Sequence, residues 1–240
     1  MFIAHNEDNS GDPFVELHKV PRIKHSQGEK QGFVFSKDSI EEISETNGYL
    51  WITGAKYNEE QYLNEWGVAL TSNASRSKVL DGAGKIEHNL RRIVIERAHS
   101  AREAVKIAGS LVEKYGYASS GRVYTIADPG EAWVFEVANG KHWIAHRVPD
   151  DEVVIIPNYY VIDKFDANDS ANYLSSPEII QYAVDNGWYD PKNNNPFNFR
   201  RAYCRADKLD GIHNIARKWV ALNLLSEKQF KLYDEFPFSF

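Results

Sequence analysis

Residues 123–157, VYTIADPGEAWVFEVANGKHWIAHRVPDDEVVIIP, decide the fold class of this chain. A two-residue period runs through four short segments, 123–127, 131–138, 141–148 and 153–157, and predicts four strands. Asn139-Gly140 separates two of these segments and favours a tight hairpin whose two turn residues have positive φ. Strands that follow one another through turns, without an intervening helix, predict an antiparallel meander.

Two helices are predicted immediately upstream of the meander. Residues 85–98 place apolar side chains at three- and four-residue steps, which is typical of an amphipathic helix. Ser100 and Glu103 have the spacing of a capping box, in which each residue satisfies a free amide at the start of a second helix. Gly116 stands where that helix needs a left-handed residue to end.

The remaining elements complete an α+β pattern. Short strands are predicted at 49–52 and 66–72, and a helix is predicted to begin at Ser176-Pro177, with Ser176 as N-cap, and to run to about Gly187. A last helix is predicted over 212–225, with Ile215, Trp219, Leu222 and Leu225 facing inward. Helices segregated from antiparallel strands predict a layered α+β domain.

Composition narrows the function classes. The 240 residues are 42% hydrophobic and 13% aromatic, which suits a folded globular chain rather than a disordered one. The formal charge of −6 and the lack of Lys/Arg blocks argue against a nucleic-acid partner. The apolar runs are too short to span a membrane, and no signal peptide is visible in the chain as written, which leaves the compartment unknown.

Several polar side chains stand at the predicted ends of strands. His5, Asn6, Glu7 and Asp8 follow a short apolar segment, and they fit either a polar turn or a group of side chains at the rim of a sheet. Asn158 and Asn73 also follow strands. Each can cap a turn or donate its amide to a developing oxyanion, and spacing alone favours the turn.

Two other candidates are weaker. Cys204 is the only cysteine, so the chain can form neither an internal disulfide nor a cysteine-based zinc site. Its neighbours are basic, but a free cysteine is more often a small buried residue than a nucleophile. His142 and His146 are four residues apart on a predicted strand and share a face, which leaves a weak metal-site hypothesis beside a structural one.

An ordered series of motifs across nearly the whole chain resembles the dipeptidase A and secernin group of cysteine N-terminal-nucleophile (Ntn) hydrolases. The matching segments are 4–8 (AHNED), 64–70 (NEWGVAL), 119–124 (SSGRVY), 126–133 (IADPGEAW), 140–145 (GKHWIA), 147–152 (RVPDDE), 156–160 (IPNYY), 219–225 (WVALNLL) and 236–238 (FPF). Each motif alone is weak, whereas the ordered set is specific.

The resemblance implies an Ntn-hydrolase-like αββα layered sandwich with antiparallel sheets, formed as one partial domain by residues 1–240. It implies hydrolysis of the amide bond in dipeptides by a cysteine that is residue one of the mature chain and whose α-amino group acts as base. By position, Asp8 would orient that amine beside His5 and Asn6, Asn158 would stabilise the oxyanion, and Asn73 is a weaker counterpart. The mechanism needs neither a cofactor nor a metal.

The chain departs from the family pattern in one respect that bears on function. The family has its cysteine one strand and one turn before the Asn-x-Asp motif, whereas Met1 stands five residues before Asn6 and no cysteine lies nearby. The resemblance is still strong at 236–240, whereas family members run on considerably further. It therefore predicts a domain that is incomplete at both ends and inactive or poorly stable by itself. A non-catalytic binder of peptides or of a partner protein, and an acylase for a non-peptide amide, stay open as alternatives. A homo-oligomer is also possible.

Overall fold

The computed structural model describes residues 2–6, 15–34, 36–53, 59–80, 83–209, 211–227 and 229–231. The strands are β1 (Leu17–Val20), β2 (Ile23–Lys24), β3 (Lys30–Gly32), β4 (Ser39–Glu41), β5 (Glu45–Thr46), β6 (Tyr49–Thr53), β7 (Glu59–Asn64), β8 (Ala69–Ala74), β9 (Tyr117–Ala127), β10 (Ala132–Gly140), β11 (Trp143–Arg147) and β12 (Tyr173–Ser175). The helices are α1 (Asn89–Arg97), α2 (Ala101–Tyr115), α3 (Ile179–Asp185), α4 (Phe199–Tyr203), α5 (Ala206–Leu209) and α6 (Ile212–Leu225), with a 3₁₀ turn at Pro191–Asn193.

One large antiparallel sheet organises the described residues. Its eight strands run in the order β1-β6-β7-β8-β9-β10-β11-β12, while β2 pairs with β5 and β3 with β4 in separate two-stranded sheets. The long central strands β9 and β10 pair from Ala127 and Ala132 to Tyr117 and Gly140, with an irregularity near the end. The predicted α+β class with antiparallel sheets is confirmed.

Helices α1 and α2 cover one face of this sheet. Their apolar stripes meet Trp133, Phe135 and Trp143 in a buried cluster. At the start of α2 the Ser100 hydroxyl accepts the Glu103 amide, as predicted. The Glu103 carboxylate reaches back one residue further than a capping box requires, to the amide of His99 at 2.8 Å. Gly116 ends α2 with a positive φ of +71°, as a left-handed cap requires, but its ψ of 141° lies outside the left-handed helical region.

The opposite face of the sheet is covered by irregular chain and short helices. Val134 and Ile144 project from the sheet into a second apolar cluster, which is completed by Tyr160, Ile162 and Phe199. The described residues therefore supply a helical layer, a β layer and a mixed covering layer. Among these residues, no helix is both long enough and apolar enough to cross a membrane.

The strand predicted at 153–157 is not formed. The neighbouring position in the sheet is occupied by β12, which pairs Ile144 with Ser175 and His146 with Tyr173. The apolar residues Val154 and Ile156 instead pack against the second cluster. A continuous apolar run indicates burial on all sides, but it does not distinguish a buried strand from a buried irregular segment.

Two turn predictions are also wrong in detail. The β10–β11 hairpin forms, but only Gly140 of the Asn139-Gly140 pair has positive φ, and the connection is closed by a bond from the Ala138 amide to the His142 carbonyl. Ser176 does not cap α3, because its hydroxyl instead accepts the Trp143 amide. The N-cap position of α3 is occupied by Glu178.

Helix α6 has the predicted bounds but a different buried face. Asn214, Lys218 and Leu222 are its buried residues, whereas Leu225 is 67% exposed. Leu222 is buried as predicted, and Ile215 and Trp219 are half-buried. Asn214 and Lys218 take the other buried positions, and Asn214 accepts the Asn158 main-chain amide from the neighbouring loop.

Candidate active site

Asn73 and Asn158 lie together at one end of β8. The Asn73 amide nitrogen donates to the Ile156 carbonyl at 3.1 Å, and the Asn158 amide nitrogen donates to the Ala74 carbonyl at 3.1 Å. Both bonds connect the end of β8 to the loop that contains Ile156 and Asn158. Each primary amide carries two N–H donors and uses one of them in these contacts.

Arg217 of α6 joins this cluster and was missed by the sequence analysis. One terminal nitrogen of its guanidinium donates to the side-chain oxygens of Asn158 and Asn214, each at 2.8 Å. A guanidinium only donates and a carbonyl only accepts. Arg217 and the Ala74 carbonyl therefore fix the amide of Asn158 with its oxygen towards the cation. The i,i+3 spacing of Asn214 and Arg217 on a predicted helix was the available signal.

The loop that carries Asn158 is held from beneath by Glu136. This carboxylate projects from β10 and accepts the Val161 amide at 2.5 Å and the Ile162 amide at 3.3 Å. It is completely buried, and burial raises its pKa to about 8 even though the two amides oppose that shift. Two backbone bonds to one side chain fix the direction in which the loop leaves the site.

Tyr160 anchors the same loop to strands β9 and β10. Its hydroxyl donates to the Val137 carbonyl at 2.8 Å and passes over Gly121 of β9. A Cβ at position 121 would stand 2.1 Å from the Tyr160 hydroxyl, and the local φ of +130° is one that side chains rarely adopt. Glycine is thus required here for close approach of the loop.

The other predicted site residues are less fully described. His5 is half-buried, and its Nδ1 atom lies 3.0 Å from the Gln61 amide nitrogen on β7, the neighbour of β8 in the sheet. Asn6 is exposed, and Glu7 and Asp8 lie outside the described residues. The structure brings Asn73 and Asn158 into one cluster and places His5 against the adjacent strand.

Asn64, which begins the NEWGVAL motif, has a different role. Its amide nitrogen donates to the Ile95 and Ala98 carbonyls at the end of α1, at 3.0 and 2.7 Å. Its oxygen accepts the Trp66 and Val68 amides at 3.1 and 3.0 Å. These four bonds account for its donors and acceptors, so this part of the motif joins a helix end to a hairpin.

Cys204 has the surroundings of a structural residue. It is completely buried, and burial raises the pKa of its thiol to about 11, which is opposite to what a nucleophile needs. It forms an isolated β-bridge with Ser77. The thiol is therefore protonated near neutral pH and lies within the second apolar cluster.

His142 and His146 each face an aromatic partner. The His142 ring lies 4.0 Å from the Tyr182 ring, and the His146 ring stacks on Tyr173 at 4.2 Å. Burial lowers the pKa of both imidazoles, that of His146 to about 4. Within the ranges that the structure describes, no group of three His, Cys, Asp or Glu side chains is arranged to hold a metal ion.

Comparison with known proteins assigns the chain to a family. The model of peptidase family C69 matches residues 35–239. A probable dipeptidase of Latilactobacillus sakei is 34% identical over 191 residues, covering 75% of this chain and 40% of that protein. The dipeptidase A of Lactobacillus helveticus is 34% identical over 138 residues, or 57% and 28% of the two chains.

Among solved structures, penicillin V acylase from Agrobacterium tumefaciens aligns with a TM-score of 0.42 and 17% identity over 55% of this chain and 41% of that one. The match to the C69 family model covers more than half of the chain and places it in a family of peptidases. The chain belongs to peptidase family C69, and the resemblance to dipeptidases is confirmed. It spans between 28% and 40% of the lengths of the two dipeptidases named above.

Proposed function

We propose that residues 1–240 form part of the amide-hydrolysing domain of a cysteine-type dipeptidase, with Asn158 as the oxyanion donor. The observation that carries this proposal is the Asn73–Asn158–Arg217 cluster at the end of β8. Two half-buried primary amides and one exposed cation converge there. Fixed donors of this kind stabilise the negative charge that develops on a carbonyl oxygen during amide hydrolysis.

Each residue of the cluster has a separate role in this proposal. Asn158 offers its second N–H to the oxyanion, and Asn73 supports the loop through the Ile156 carbonyl. Arg217 fixes the orientation of the Asn158 amide and adds positive charge. His5, Asn6 and Asp8 would stand beside the nucleophile and its amine, in the order that the family pattern implies.

The proposed nucleophile is not among the 240 residues. The only cysteine is Cys204, which is buried and has a raised thiol pKa. The same amide cluster supports a second candidate function, a protein that binds dipeptides without cleaving them. An acylase acting on a non-peptide amide would use the same chemistry, and a panel of substrates separates it from a dipeptidase.

The test begins with the DNA upstream of the Met1 codon in its source. If the frame stays open and encodes a cysteine about one strand before Asn6, we expect the extended chain to hydrolyse dipeptides and iodoacetamide to stop the reaction. We expect the 240-residue chain to show no turnover. Thiol-sensitive hydrolysis by the 240-residue chain itself would refute the assignment of the nucleophile.

If a stop codon lies directly upstream, the binding function is tested instead. Saturable binding of dipeptides without turnover, lost in Asn158→Ala, would support it. Absence of binding at millimolar dipeptide would contradict both functions for this chain.

A further inference from the structure

A groove runs along α2 on the helical side of the sheet, away from the Asn73–Asn158 cluster. It has a volume of about 480 Å³ and lies between α2 and the segment that follows β4. Ile40, Ile43, Ile107 and Leu111 form much of its apolar lining. Ile43 is 37% exposed, so part of this apolar surface faces solvent.

One wall of the groove is fixed by contacts of Arg97, which is itself a lining residue. Arg97 of α1 donates to the Glu41 carbonyl at 3.0 Å and to the Glu42 carboxylate at 3.2 Å. The side chains of Arg97 and Glu42 are only 13% and 7% exposed, which holds this segment against the helices. The opposite wall is α2, a regular helix of 15 residues. The groove is thus preformed.

The open rim of the groove is basic. Lys106, Ser110 and Lys114 follow one another at four-residue steps on α2, and all three are exposed. The two ammonium groups belong to residues two turns apart, or roughly 12 Å along the helix. Neither lysine forms an ion pair with any residue that the structure describes, and the Lys114 ammonium lies 4.9 Å from the centre of the Tyr115 ring.

We propose that this groove is a docking site for an acidic amphipathic helix of a partner protein. An apolar strip flanked by two cations two turns apart complements a helix with an apolar stripe and carboxylates at the same spacing. A small ligand is disfavoured, because small-molecule sites enclose most of their ligand and this groove is open along its length. Glu103 at the other end of the groove would repel a carboxylate there and set the register.

The test uses two blocked 18-residue helical peptides with the same leucine stripe, one flanked by glutamates and the other by lysines. Each peptide is dye-labelled and titrated with the 240-residue protein at low salt, with fluorescence anisotropy as the readout. We expect the acidic peptide to bind roughly tenfold more tightly than the basic one. In the double variant Lys106→Glu/Lys114→Glu, the preference should reverse.

Lys164→Glu/Lys192→Glu is the matched control, because both lysines are exposed and lie outside the groove lining. It makes the same change in net charge and should keep the preference for the acidic peptide. Ile107→Ser should weaken both peptides about equally, because it shortens the shared apolar strip. Circular dichroism confirms that each variant stays folded.

Three results would overturn the proposal. They are equal affinity for the two peptides, equal loss of affinity in both double variants, and self-association of the protein that the Lys106→Glu/Lys114→Glu change abolishes. The last result would assign the groove to a second copy of the chain.

Discussion

Two asparagine clusters, one beside the β7–β8 hairpin and one at the far end of β8, differ in burial and in hydrogen bonding. Beside the hairpin Asn64 and Asn47 are 4% and 5% exposed, and both donate to the Ile95 and Ala98 carbonyls. At the far end of β8 Asn73 and Asn158 are half-buried, and each side-chain amide donates one bond to a carbonyl. The first cluster has its hydrogen-bonding groups satisfied, whereas the second retains donors beside a cation.

This difference predicts which cluster contributes to folding stability and which contributes to binding and catalysis. A buried amide with all its bonds made stabilises the fold, and its removal leaves several main-chain groups without partners. A half-buried amide with a spare donor contributes little to folding and is suited to act on a ligand. The first asparagine pair should therefore dominate unfolding measurements, and the second should dominate binding and turnover.

The largest effect is expected for Asn64→Ala. The change removes four hydrogen bonds and leaves the Ile95 and Ala98 carbonyls with fewer partners in a buried place. We expect the free energy of unfolding to fall by about 4 kcal/mol, measured by urea denaturation. Asn73→Ala is the matched control and should cost less than about 1 kcal/mol. Equal losses in the two variants would remove the distinction between the clusters.

The second effect concerns Glu136, which supports the loop of the second cluster from inside the core. Its folded-state pKa of about 8 lies above its ordinary value of 4.5, so the folded protein holds a proton that the unfolded chain has released. The resulting stabilisation of the folded state is fully present below pH 4.5 and is lost as the pH rises towards 8. In the parent protein, we expect this contribution to lower the free energy of unfolding by roughly 3 kcal/mol between pH 5 and 8. In Glu136→Gln this fall should be absent.

The measurement is the difference between the two unfolding profiles, because groups that do not interact with Glu136 titrate equally in both proteins. His146, whose pKa is lowered to about 4, reduces stability as the pH falls from 6.5 towards 4. Lys218, whose pKa is lowered to about 8, responds above this window. Parallel profiles for parent and variant would show that Glu136 is already ionised in the fold at pH 5.

A third prediction tests how closely the loop must approach the sheet. In Gly121→Ala the new methyl group meets the Tyr160 hydroxyl at a backbone φ of +130°, and we expect a loss of about 2 kcal/mol in thermal unfolding. Tyr160→Phe removes the hydroxyl that the methyl group meets. In that background the Gly121→Ala change should cost less, and an unchanged cost would assign the whole penalty to backbone conformation.

Local sequence signals predicted several helix ends. The Ser100 cap, the end of α2 at Gly116 and the bounds of α6 depend on neighbouring residues, and the structure has all three. Helix α1 begins at Asn89 rather than at the predicted residue 85. The irregular path of residues 153–157 depends on which segment pairs with β11, a choice made by β12 some twenty residues later. That competition between distant segments leaves no trace in the local periodicity.

The candidate site could be predicted only in part for the same reason. Asn64 and Asn73 were both available as polar residues near strand ends, and nothing in their immediate sequence separates a saturated amide from an unsaturated one. The distinction comes from α1, which brings two carbonyls to Asn64, and from α6, which brings Arg217 to Asn158. Arg217 lies outside the apolar stripe from which α6 was predicted.

The smallest effect on stability, and the sharpest test of the comparison, is expected for Asn158→Ala. The variant loses one bond to the Ala74 carbonyl and one from Arg217 in a half-buried position, so unfolding should change by less than about 1 kcal/mol. In the extended chain that supplies a cysteine, the same change should lower kcat for a dipeptide by about 10² to 10³, as for other lost oxyanion donors. Arg217→Met, which frees the amide to rotate, should lower kcat less and leave KM nearly unchanged. A large loss of stability without a specific loss of kcat would make Asn158 a structural residue of the same kind as Asn64.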